Sequence, residues 1–408
     1  MNICRHCEEE LINELIDLGH APPSNNYLSK DLLLSAETYF PLKLLICHSC
    51  WLVQTVDYND ADNLFKSDYA YFSSTSKSWL QHSYEYSKKI IDYLDLDGMS
   101  FVVEIASNDG YLLKNFLENK IPCLGIEPTE STALAAEEQG IEVLKEFFTL
   151  ELSKELANKK KADLIIGNNV YAHVPDINDF TLGMKKLLSA EGVITLEFPH
   201  LKELIVNKQF DTIYHEHFSY LSLSTVDLIF QSADLKIINV EKISTHGGSL
   251  RVYGAHKSSS RDINPSVVKV LEEESELGMQ SLDFYQSFQQ ESETIRDEFL
   301  SFLLDCKKSG LTVAAYGAAA KGNTLLNYAG VKNNLIDFVC DAAPSKQDKF
   351  LPGSHIPILK PSQLESIESL DYLIIFPWNI SSEIIESLEF LRNRGVKFVT
   401  AIPSLTIL

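Results

Sequence analysis

The chain contains 408 residues, of which 45% are hydrophobic and 23% are charged, and its formal net charge is −22 at pH 7. This length exceeds what one hydrophobic core serves, so two or three domains are expected. The acidic excess argues against nucleic acid or an anionic membrane surface as the main partner. Residues 1–7 lack the apolar segment of a signal peptide, and no apolar run is long enough to span a bilayer. We therefore expect a cytoplasmic protein whose seven cysteines are reduced.

Two Cys-x-x-Cys pairs, Cys4/Cys7 and Cys47/Cys50, mark the N-terminal segment. Each pair forms a knuckle that directs two thiolates to one point, and two knuckles complete a tetrahedral Zn²⁺ site. Because all four ligands are cysteines, the site is expected to be closed and structural. The alternative, four unligated thiols, is disfavoured by the paired spacing. His6 and His48 lie inside the knuckles and are not expected to bind the metal.

A stretch rich in tyrosine and hydroxyl groups, residues 68–76, precedes a helical pattern that begins at Trp79. One interpretation is a helix cap with packed aromatic rings. The other is a segment that lines a polar pocket. The spacing does not separate the two interpretations.

Residues 102–113 combine an apolar β-branched run, a turn containing Asp109 and Gly110, and apolar residues at helical spacing. This pattern predicts strand, tight turn and helix, and Gly110 is expected to let the backbone approach a ligand. The dinucleotide fingerprint G-x-G-x-x-G is absent. The acidic Glu104 inside the strand is typical of S-adenosylmethionine (SAM) sites, and Glu127, which closes the next strand, is placed to bond ribose hydroxyls. The alternative is an ordinary α/β turn without a ligand.

A later buried strand begins at residue 162, ends in polar residues and leads to His173. Because ligands bind at strand ends near a switch point of an α/β sheet, these polar residues are expected near the cofactor. The predicted SAM-binding residues are Glu104, Ala106, Asn108, Gly110, Tyr111, Leu112, Glu127, Pro128, Asn168, Asn169 and His173.

Residues 213–220, Ile-Tyr-His-Glu-His-Phe-Ser-Tyr, carry two histidines, a carboxylate and two phenols. The zinc-protease spacing His-Glu-x-x-His is not matched. In an extended strand His215 and His217 would share one face. In a turn or helix Tyr214 would lie beside His217, which offers a general base next to a phenol donor. The alternative is a polar cluster at a domain edge.

A turn that feeds a strand is predicted near residue 247. Gly247 permits close approach of a ligand, His246 precedes it, and Arg251 supplies positive charge. The alternative is a plain β-turn.

The last part of the chain repeats the α/β pattern. Residues 265–308 have apolar positions at helical spacing, which predicts a helical connector. Residues 309–408 begin again with strand, turn and helix, and a helix N-terminus with Lys321 nearby suits a phosphate. A second, smaller Rossmann-like lobe is therefore expected, with a cleft between the two lobes.

Together these motifs resemble those of the three-domain sugar C-methyltransferases, which act on nucleotide-linked 4-keto deoxysugars. The resemblance covers nearly the whole chain, and the set of motifs is specific although no single motif is. It implies an α/β fold with a class I SAM methyltransferase domain, flanked by a small N-terminal Cys4 zinc domain and a smaller C-terminal Rossmann-like domain. The matching motifs are both cysteine knuckles and residues 104–110, 169–176, 214–217, 246–251 and 317–323.

The resemblance also implies the chemistry. Zinc is structural, SAM is the cofactor, and the substrate is a nucleotide sugar, usually dTDP-linked. His217 is implied as the base that removes the C3 proton beside the 4-keto group, giving an enolate that is methylated at C3. The residues implied to assist are Tyr214, Glu216, His173 and either Tyr69 or Tyr71. The residues expected to bind substrate are Ser74, His246, Gly247, Arg251, Lys321 and Asn323.

The expected domains are a zinc-binding domain (1–66), a SAM-binding methyltransferase domain (67–260), a helical connector (261–308) and a substrate-binding domain (309–408), in a monomer. An O- or N-methyltransferase on the same scaffold is the main alternative. A non-enzymatic zinc-and-nucleotide binding module would leave the Tyr-His-Glu-His cluster unexplained. An NAD-dependent enzyme is disfavoured because neither lobe carries the glycine fingerprint.

Overall fold

The computed structural model describes residues 2–56 and 72–408, which form three β-sheets. Tyr69 and Tyr71 of the sequence prediction lie outside the described residues. Within these two ranges, no helix has the length and apolar character needed to cross a bilayer.

The first sheet is antiparallel and is shared between two parts of the chain. Its strands are β1 (Asn13–Ala21), β2 (Phe40–Ile46), β3 (Val53–Thr55) and β9 (Ser219–Tyr220), in the order β1-β2-β3-β9. In the pairing of β3 with β9, Val53 lies opposite Tyr220. The N-terminal sheet is therefore completed by residues that directly follow His217.

The central sheet has seven strands in the order β10-β11-β8-β7-β4-β5-β6. The strands are β4 (Val102–Ile105), β5 (Cys123–Ile126), β6 (Glu142–Leu144), β7 (Ala162–Asn168), β8 (Leu188–Pro199), β10 (Leu235–Ile243) and β11 (Ser249–His256). Strands β4 to β8 pair in parallel, whereas β11 is antiparallel to both of its neighbours. The chain order reverses between β4 and β7, which places a ligand crevice at the carboxyl ends of these two strands.

The sequence explains these elements locally. β4 reads Val-Val-Glu-Ile and is buried at every position, as expected for a parallel strand covered on both faces. Side-chain oxygens cap several helices; Ser76, for example, accepts a hydrogen bond from the Trp79 amide. The α-helices that accompany the central sheet are α1 (Lys77–Leu94), α2 (Leu113–Glu118), α3 (Glu130–Glu137), α4 (Leu150–Lys159), α5 (Ile177–Leu187), α6 (Leu201–Val206) and α7 (Leu223–Ser232).

The connector region forms two helices, α8 (Pro265–Glu276) and α9 (Phe288–Lys308). Phe288 and Phe299 of α9 are fully buried in one hydrophobic core that also holds Leu44 of β2, Phe210 and Leu325. One core therefore joins the N-terminal sheet, the region before His217 and the C-terminal lobe. The domain boundaries proposed from the sequence stay a prediction.

The third sheet forms the C-terminal lobe, in the order β14-β13-β12-β15-β16-β17. Its strands are β12 (Val313–Tyr316), β13 (Val339–Cys340), β14 (Ile358–Leu359), β15 (Tyr372–Ile375), β16 (Lys397–Thr400) and β17 (Thr406–Ile407). All neighbouring pairs are parallel except β16 with β17. Its α-helices are α10 (Ala320–Tyr328), α11 (Gln363–Ser366), α12 (Ser381–Ser387) and α13 (Glu389–Asn393).

Short 3-10 helices connect many of these elements. They span Asp31–Leu34, Ser73–Thr75, Tyr171–His173, Phe210–Thr212, Thr245–Gly247, Leu282–Tyr285 and Trp378–Ile380.

Candidate active site and zinc centre

The four predicted zinc ligands come together in space. The sulfur atoms of Cys4, Cys7, Cys47 and Cys50 all lie within 4.8 Å of one another. The Sγ atoms of Cys4 and Cys50 are 3.5 Å apart, and those of Cys7 and Cys47 are 3.4 Å apart. A tetrahedral Zn²⁺ with Zn–S bonds of about 2.3 Å needs sulfur atoms about 3.8 Å apart, so this cluster fits the ion.

The two knuckles share one backbone design. The Glu8 amide donates to the Cys4 carbonyl and the Trp51 amide donates to the Cys47 carbonyl, both at 3.0 Å. Glu8 and Trp51 both adopt the left-handed conformation, with φ of 62° and 60°. All seven cysteines are free of disulfides. The cluster is therefore a closed site with four cysteine ligands and no position left for a substrate.

The turn after β4 is held by Glu127. One carboxylate oxygen accepts from the Asn108 amide at 2.9 Å and the other accepts from the Thr129 amide at 2.8 Å. Ala106 and Asn108 both have positive φ, 56° and 50°, so the turn is compact without extra glycines. The side-chain oxygen of Asn108 also accepts from the Ser73 amide at 2.9 Å.

The crevice beside this turn carries negative charge and unsatisfied polar atoms. Glu104 Oε2, Asp109 Oδ1 and both side-chain polar atoms of Asn168 are buried without a hydrogen-bond partner among the described residues. Burial, reinforced by the charges of Asp109 and Glu127, raises the pKa of Glu104 well above its ordinary value. A cationic ligand would compensate the negative charge, and its own donors and acceptors would satisfy the buried polar atoms. The residues therefore fit SAM, whose sulfonium and ammonium groups are positive.

Other predicted SAM residues have packing roles here. Gly110 has φ of 76°, and a Cβ at this position would lie 2.4 Å from Ile141 Cδ1. The left-handed backbone and the packing against Ile141 therefore favour glycine here, and the approach of a ligand to Gly110 stays a prediction. Leu112 is fully buried, and the ring of Tyr111 lies 6.2 Å from that of Trp79. Pro128 directly follows Glu127 and is half-buried.

The Tyr-His-Glu-His stretch adopts the turn rather than the strand. The His217 amide donates to the Tyr214 carbonyl at 3.0 Å, and the two rings lie 3.9 Å apart. The ring of His173 lies 4.6 Å from that of His217 on another side. The structure thus brings together three of the predicted catalytic side chains.

The hydrogen bonds of His217 define its tautomer. His217 is 7% exposed, and its Nδ1 lies 3.1 Å from the Thr212 carbonyl oxygen. Because a carbonyl only accepts, Nδ1 carries the proton and Nε2 presents a lone pair. Burial, with the neighbouring His173, lowers the pKa of His217 well below its ordinary value, so the ring is neutral at pH 7. The site therefore holds a neutral imidazole base.

Two neighbours in this stretch face elsewhere. His215 Nε2 lies 3.3 and 3.2 Å from the carbonyl oxygens of Phe40 and Pro41 in β2. Both carboxylate oxygens of Glu216 accept from Asn25 Nδ2 at 2.9 Å. Asn25 lies between β1 and β2, and no pattern in the sequence assigns it to the site.

The turn after β7 meets the turn before β11. Asn169, with φ of 54°, donates from Nδ2 to His246 Nε2 at 3.3 Å. His246 is also left-handed, and burial lowers its pKa to about 4. Gly247 has φ of 91°, and a Cβ at this position would lie 2.4 Å from the ring of Trp378, so packing against the C-terminal lobe favours glycine here.

Three predicted substrate-binding residues already hold protein groups. Arg251 is 4% exposed, donates to Glu197 Oε2 at 2.9 Å and lies 4.5 Å over the ring of Tyr86. Asn323 donates from Nδ2 to the Ser24 carbonyl. The Ser74 amide donates to Asp109 Oδ2 at 3.1 Å, at the SAM turn. These contacts show what Arg251, Asn323 and the Ser74 backbone bond within the protein, and the role of the three residues in substrate binding stays a prediction.

Lys321 lies at the seam between the central and C-terminal lobes. Its Nζ donates to Asn379 Oδ1 at 2.9 Å and lies 4.2 Å above the ring of Trp378. Burial lowers its pKa to about 8. The Trp378 indole donates to Asp211 Oδ2 at 2.7 Å, while Asp211 Oδ1 is buried without a partner among the described residues. Sequence reasoning missed Asp211 and Trp378, since neither stands in a recognisable pattern.

Family comparisons agree with this architecture. A family described as a proposed zinc-binding domain matches residues 4–65, a methyltransferase domain family matches residues 78–240, and a C-methyltransferase C-terminal domain family matches residues 244–403. Together with the reversing parallel sheet, these matches define a SAM-dependent methyltransferase with an N-terminal zinc domain.

The C-methyltransferase NovU of Streptomyces niveus is 34% identical over 402 residues, which cover 98% of this chain and 95% of NovU. The chain belongs to this C-methyltransferase family, and it carries out SAM-dependent C-methylation. The predicted fold class, enzyme class and SAM and zinc cofactors are confirmed. The individual site residues, the nucleotide sugar, the monomer and the cytoplasmic location stay predictions.

Two solved structures each align with about half of the chain. A SAM-bound magnesium protoporphyrin IX methyltransferase from Synechocystis PCC 6803 is 10% identical, covers 49% of this chain and 100% of its own, and gives a TM-score of 0.37. A protein of Pyrococcus horikoshii OT3 is 14% identical, covers 47% and 99%, and gives 0.38. Scores this low carry no argument, and the fold assignment depends on the sheet order and the family matches.

Proposed function

We propose that the acceptor is a nucleotide-linked 4-keto deoxysugar, dTDP-linked by family resemblance, and that it is methylated at C3. A 4-keto group acidifies the neighbouring C3–H, which makes this carbon a nucleophile once a base removes the proton. NovU is a C-methyltransferase of this family, and C-methylation needs such an acidic C–H. A heteroatom acceptor would not.

The observation that carries the proposal is the state of His217. Its Nδ1 proton is committed to the Thr212 carbonyl and its ring is neutral, so Nε2 is the position that accepts the C3 proton. A positioned base of this kind contributes a factor of about 10² to 10⁴. The Thr212 carbonyl also stabilises the imidazolium that forms, because it keeps Nδ1–H hydrogen-bonded.

Tyr214 and His173 flank the base. Their rings lie 3.9 and 4.6 Å from the His217 ring. The Tyr214 O–H at this distance is suited to donate to an oxygen of a substrate held against Nε2 and to stabilise the negative charge that develops there. The neutral His173 ring donates its N–H to the Glu216 backbone carbonyl and so helps to orient the base. Glu216, bonded to Asn25, assists by fixing the turn.

SAM, when bound, supplies the methyl group and leaves as S-adenosylhomocysteine. The chain's own task is to hold the acceptor carbon in line with the carboxyl ends of β4 and β7 and to exclude water. Lys321, on the C-terminal lobe, supplies positive charge for a diphosphate on the far side of the sugar.

The proposal is tested with a dTDP-4-keto-6-deoxysugar in D₂O, comparing wild type, His217→Asn and His215→Asn. Release of S-adenosylhomocysteine and deuterium at the carbon beside the ketone are measured. We expect both to fall by about 10²- to 10⁴-fold in His217→Asn. His215→Asn is the matched control, because His215 contacts β2 carbonyls rather than the site.

Turnover that survives in His217→Asn would contradict the role of His217 and favour an oxygen or nitrogen acceptor. Wild-type protein that binds SAM but methylates no keto sugar would contradict the substrate proposal.

A further inference from the structure

The side chain of Arg5 connects the first zinc knuckle to the turn that contains His217. Arg5 lies between the ligands Cys4 and Cys7. Its Nη1 donates to the Pro175 carbonyl at 2.8 Å, and its Nη2 donates to the Thr55 carbonyl at 3.2 Å. The guanidinium also lies over the ring of Phe218, 5.2 Å from its centroid.

Two of these contacts lie within two residues of a side chain proposed to be catalytic. Phe218 directly follows His217, and Pro175 belongs to the loop that begins at His173. The Phe218 amide donates to the Ala172 carbonyl at 2.8 Å, and the Thr55 amide donates to the Phe218 carbonyl at 3.2 Å. The segment with His173 and the segment with His217 are thus hydrogen-bonded to each other. The second segment is also hydrogen-bonded to the end of β3, which Arg5 contacts.

The knuckle itself is tied to the same strand. Gln54 is 1% exposed; its Oε1 accepts from the Arg5 amide at 3.0 Å, and its Nε2 donates to Cys4 Sγ at 3.2 Å. A second contact joins the knuckle to α5, where His6 and Asn178 exchange hydrogen bonds at 2.8 Å. The backbone around Arg5 is therefore rigid, which makes its guanidinium a fixed support.

We propose that Arg5 is a positioning residue, which uses the zinc knuckle to set the distance between His173 and His217 and so couples the metal site to proton removal. Arg5 touches no substrate in this role. It acts through Phe218 and the loop at Pro175. The inference concerns the residues around the base, and its kinetic part depends on the proposed function.

The first test needs no acceptor substrate. Protein labelled with ¹⁵N-histidine is compared as wild type and Arg5→Gln by long-range ¹H–¹⁵N correlation, with the His217 signals assigned from their absence in His217→Asn. We expect a single Nδ1–H tautomer for His217 in the wild type and a mixture in Arg5→Gln. The signals of His215, which is held by β2, should not change. A His217 tautomer that is unchanged in zinc-loaded Arg5→Gln overturns the proposal.

The second test is kinetic and uses the dTDP-4-keto-6-deoxysugar. We expect kcat of Arg5→Gln to fall by about 10- to 100-fold, while zinc content, KM and SAM affinity stay within twofold, because loss of a residue that orients a ligand or base costs about this much. Arg296→Gln is the matched control, because that arginine also lies over an aromatic ring, that of Tyr328, and its Nε donates to the neighbouring Asp297. An equal loss in both variants, or none in Arg5→Gln, overturns the proposal.

Phe218→Leu repeats the test if Arg5→Gln loses its zinc, since it removes the ring beneath the guanidinium and leaves the knuckle intact. We expect a smaller fall in kcat at full zinc content, and an unchanged kcat contradicts the coupling. If no keto sugar is turned over by the wild type, the proposed function fails while the tautomer measurement still decides the role of Arg5.

Discussion

The central and C-terminal lobes use the same device to hold the turn after their first strand. In the central lobe Glu127 accepts from the amides of Asn108 and Thr129 at 2.9 and 2.8 Å. In the C-terminal lobe Asp341 accepts from the amides of Ala318 and Ala343 at 2.7 and 2.8 Å. In both lobes, the carboxylate at the end of the second strand accepts two hydrogen bonds. One comes from the turn after the first strand, and the other comes from the residue two positions after the carboxylate.

The side chains around these carboxylates differ in charge. Glu127 shares its crevice with the carboxylates of Glu104 and Asp109. Asp341 has Lys346 at 3.7 Å, and Lys321 lies in the first turn of α10. The comparison teaches that one backbone frame can present negative charge or positive charge to its surroundings, depending on the residues beside the carboxylate.

The strongest test of this comparison makes the same change in both lobes. In Glu127→Gln an amide N–H₂ would face a backbone N–H, so the turn loses one acceptor and the SAM site loses a charge. We expect SAM affinity to fall by about 10- to 100-fold, the equivalent of a charged hydrogen bond of about 1.5–3 kcal/mol. Isothermal titration calorimetry measures it.

Asp341→Asn is the matched control and should leave SAM affinity within twofold, with any loss appearing in KM for the nucleotide sugar. Equal weakening of SAM binding in both variants would break the comparison.

A smaller effect is expected from the positive charge of the C-terminal lobe. The pKa of Lys321 is lowered to about 8, so its ammonium is present below pH 8 and is lost above it. We expect KM for the nucleotide sugar to rise above pH 8, while SAM affinity does not follow this titration. Lys321→Arg should keep KM low to higher pH, and Lys321→Gln should raise it by about 10-fold at pH 7, as loss of a charged contact does. A flat KM across this range in the wild type would remove Lys321 from substrate binding.

The smallest effect concerns protons released by the central lobe. The pKa of Glu104 is raised in the free protein by burial and by the negative charges nearby, so a bound cation lowers it. SAM binding should therefore release a fraction of a proton, and SAM affinity should rise with pH through this titration. Calorimetry in two buffers with different ionisation enthalpies measures the release, and Glu104→Gln should abolish it. Binding enthalpies that do not depend on the buffer would argue against a titrating carboxyl in the SAM crevice.

Local patterns predicted much of this molecule. The cysteine knuckles, the β4 turn with Glu127 and the repeat of that arrangement in residues 309–408 are each encoded within short segments. Asn25, Asp211 and Trp378 could not be predicted in this way, because their partners are distant in sequence and meet only in the tertiary structure.

Gly110 and Gly247 also show what a local sequence pattern leaves open. The sequence predicts that Gly110 and Gly247 let a ligand approach, and the structure adds that an added Cβ would meet Ile141 and Trp378, respectively. A glycine in a sequence indicates that something lies close, and does not indicate what.

The sharing of β9 with the N-terminal sheet has a consequence for synthesis on the ribosome. The first sheet cannot be completed until residues 219–220 have left the exit tunnel. The Ser24 carbonyl cannot form its hydrogen bond until Asn323 has been synthesised. Because domains fold as their segments emerge, the SAM crevice, whose turns lie between residues 102 and 169, can form before the seam with the C-terminal lobe exists. A nascent chain at that stage has synthesised the turns of the SAM crevice but not yet the C-terminal lobe that packs against them.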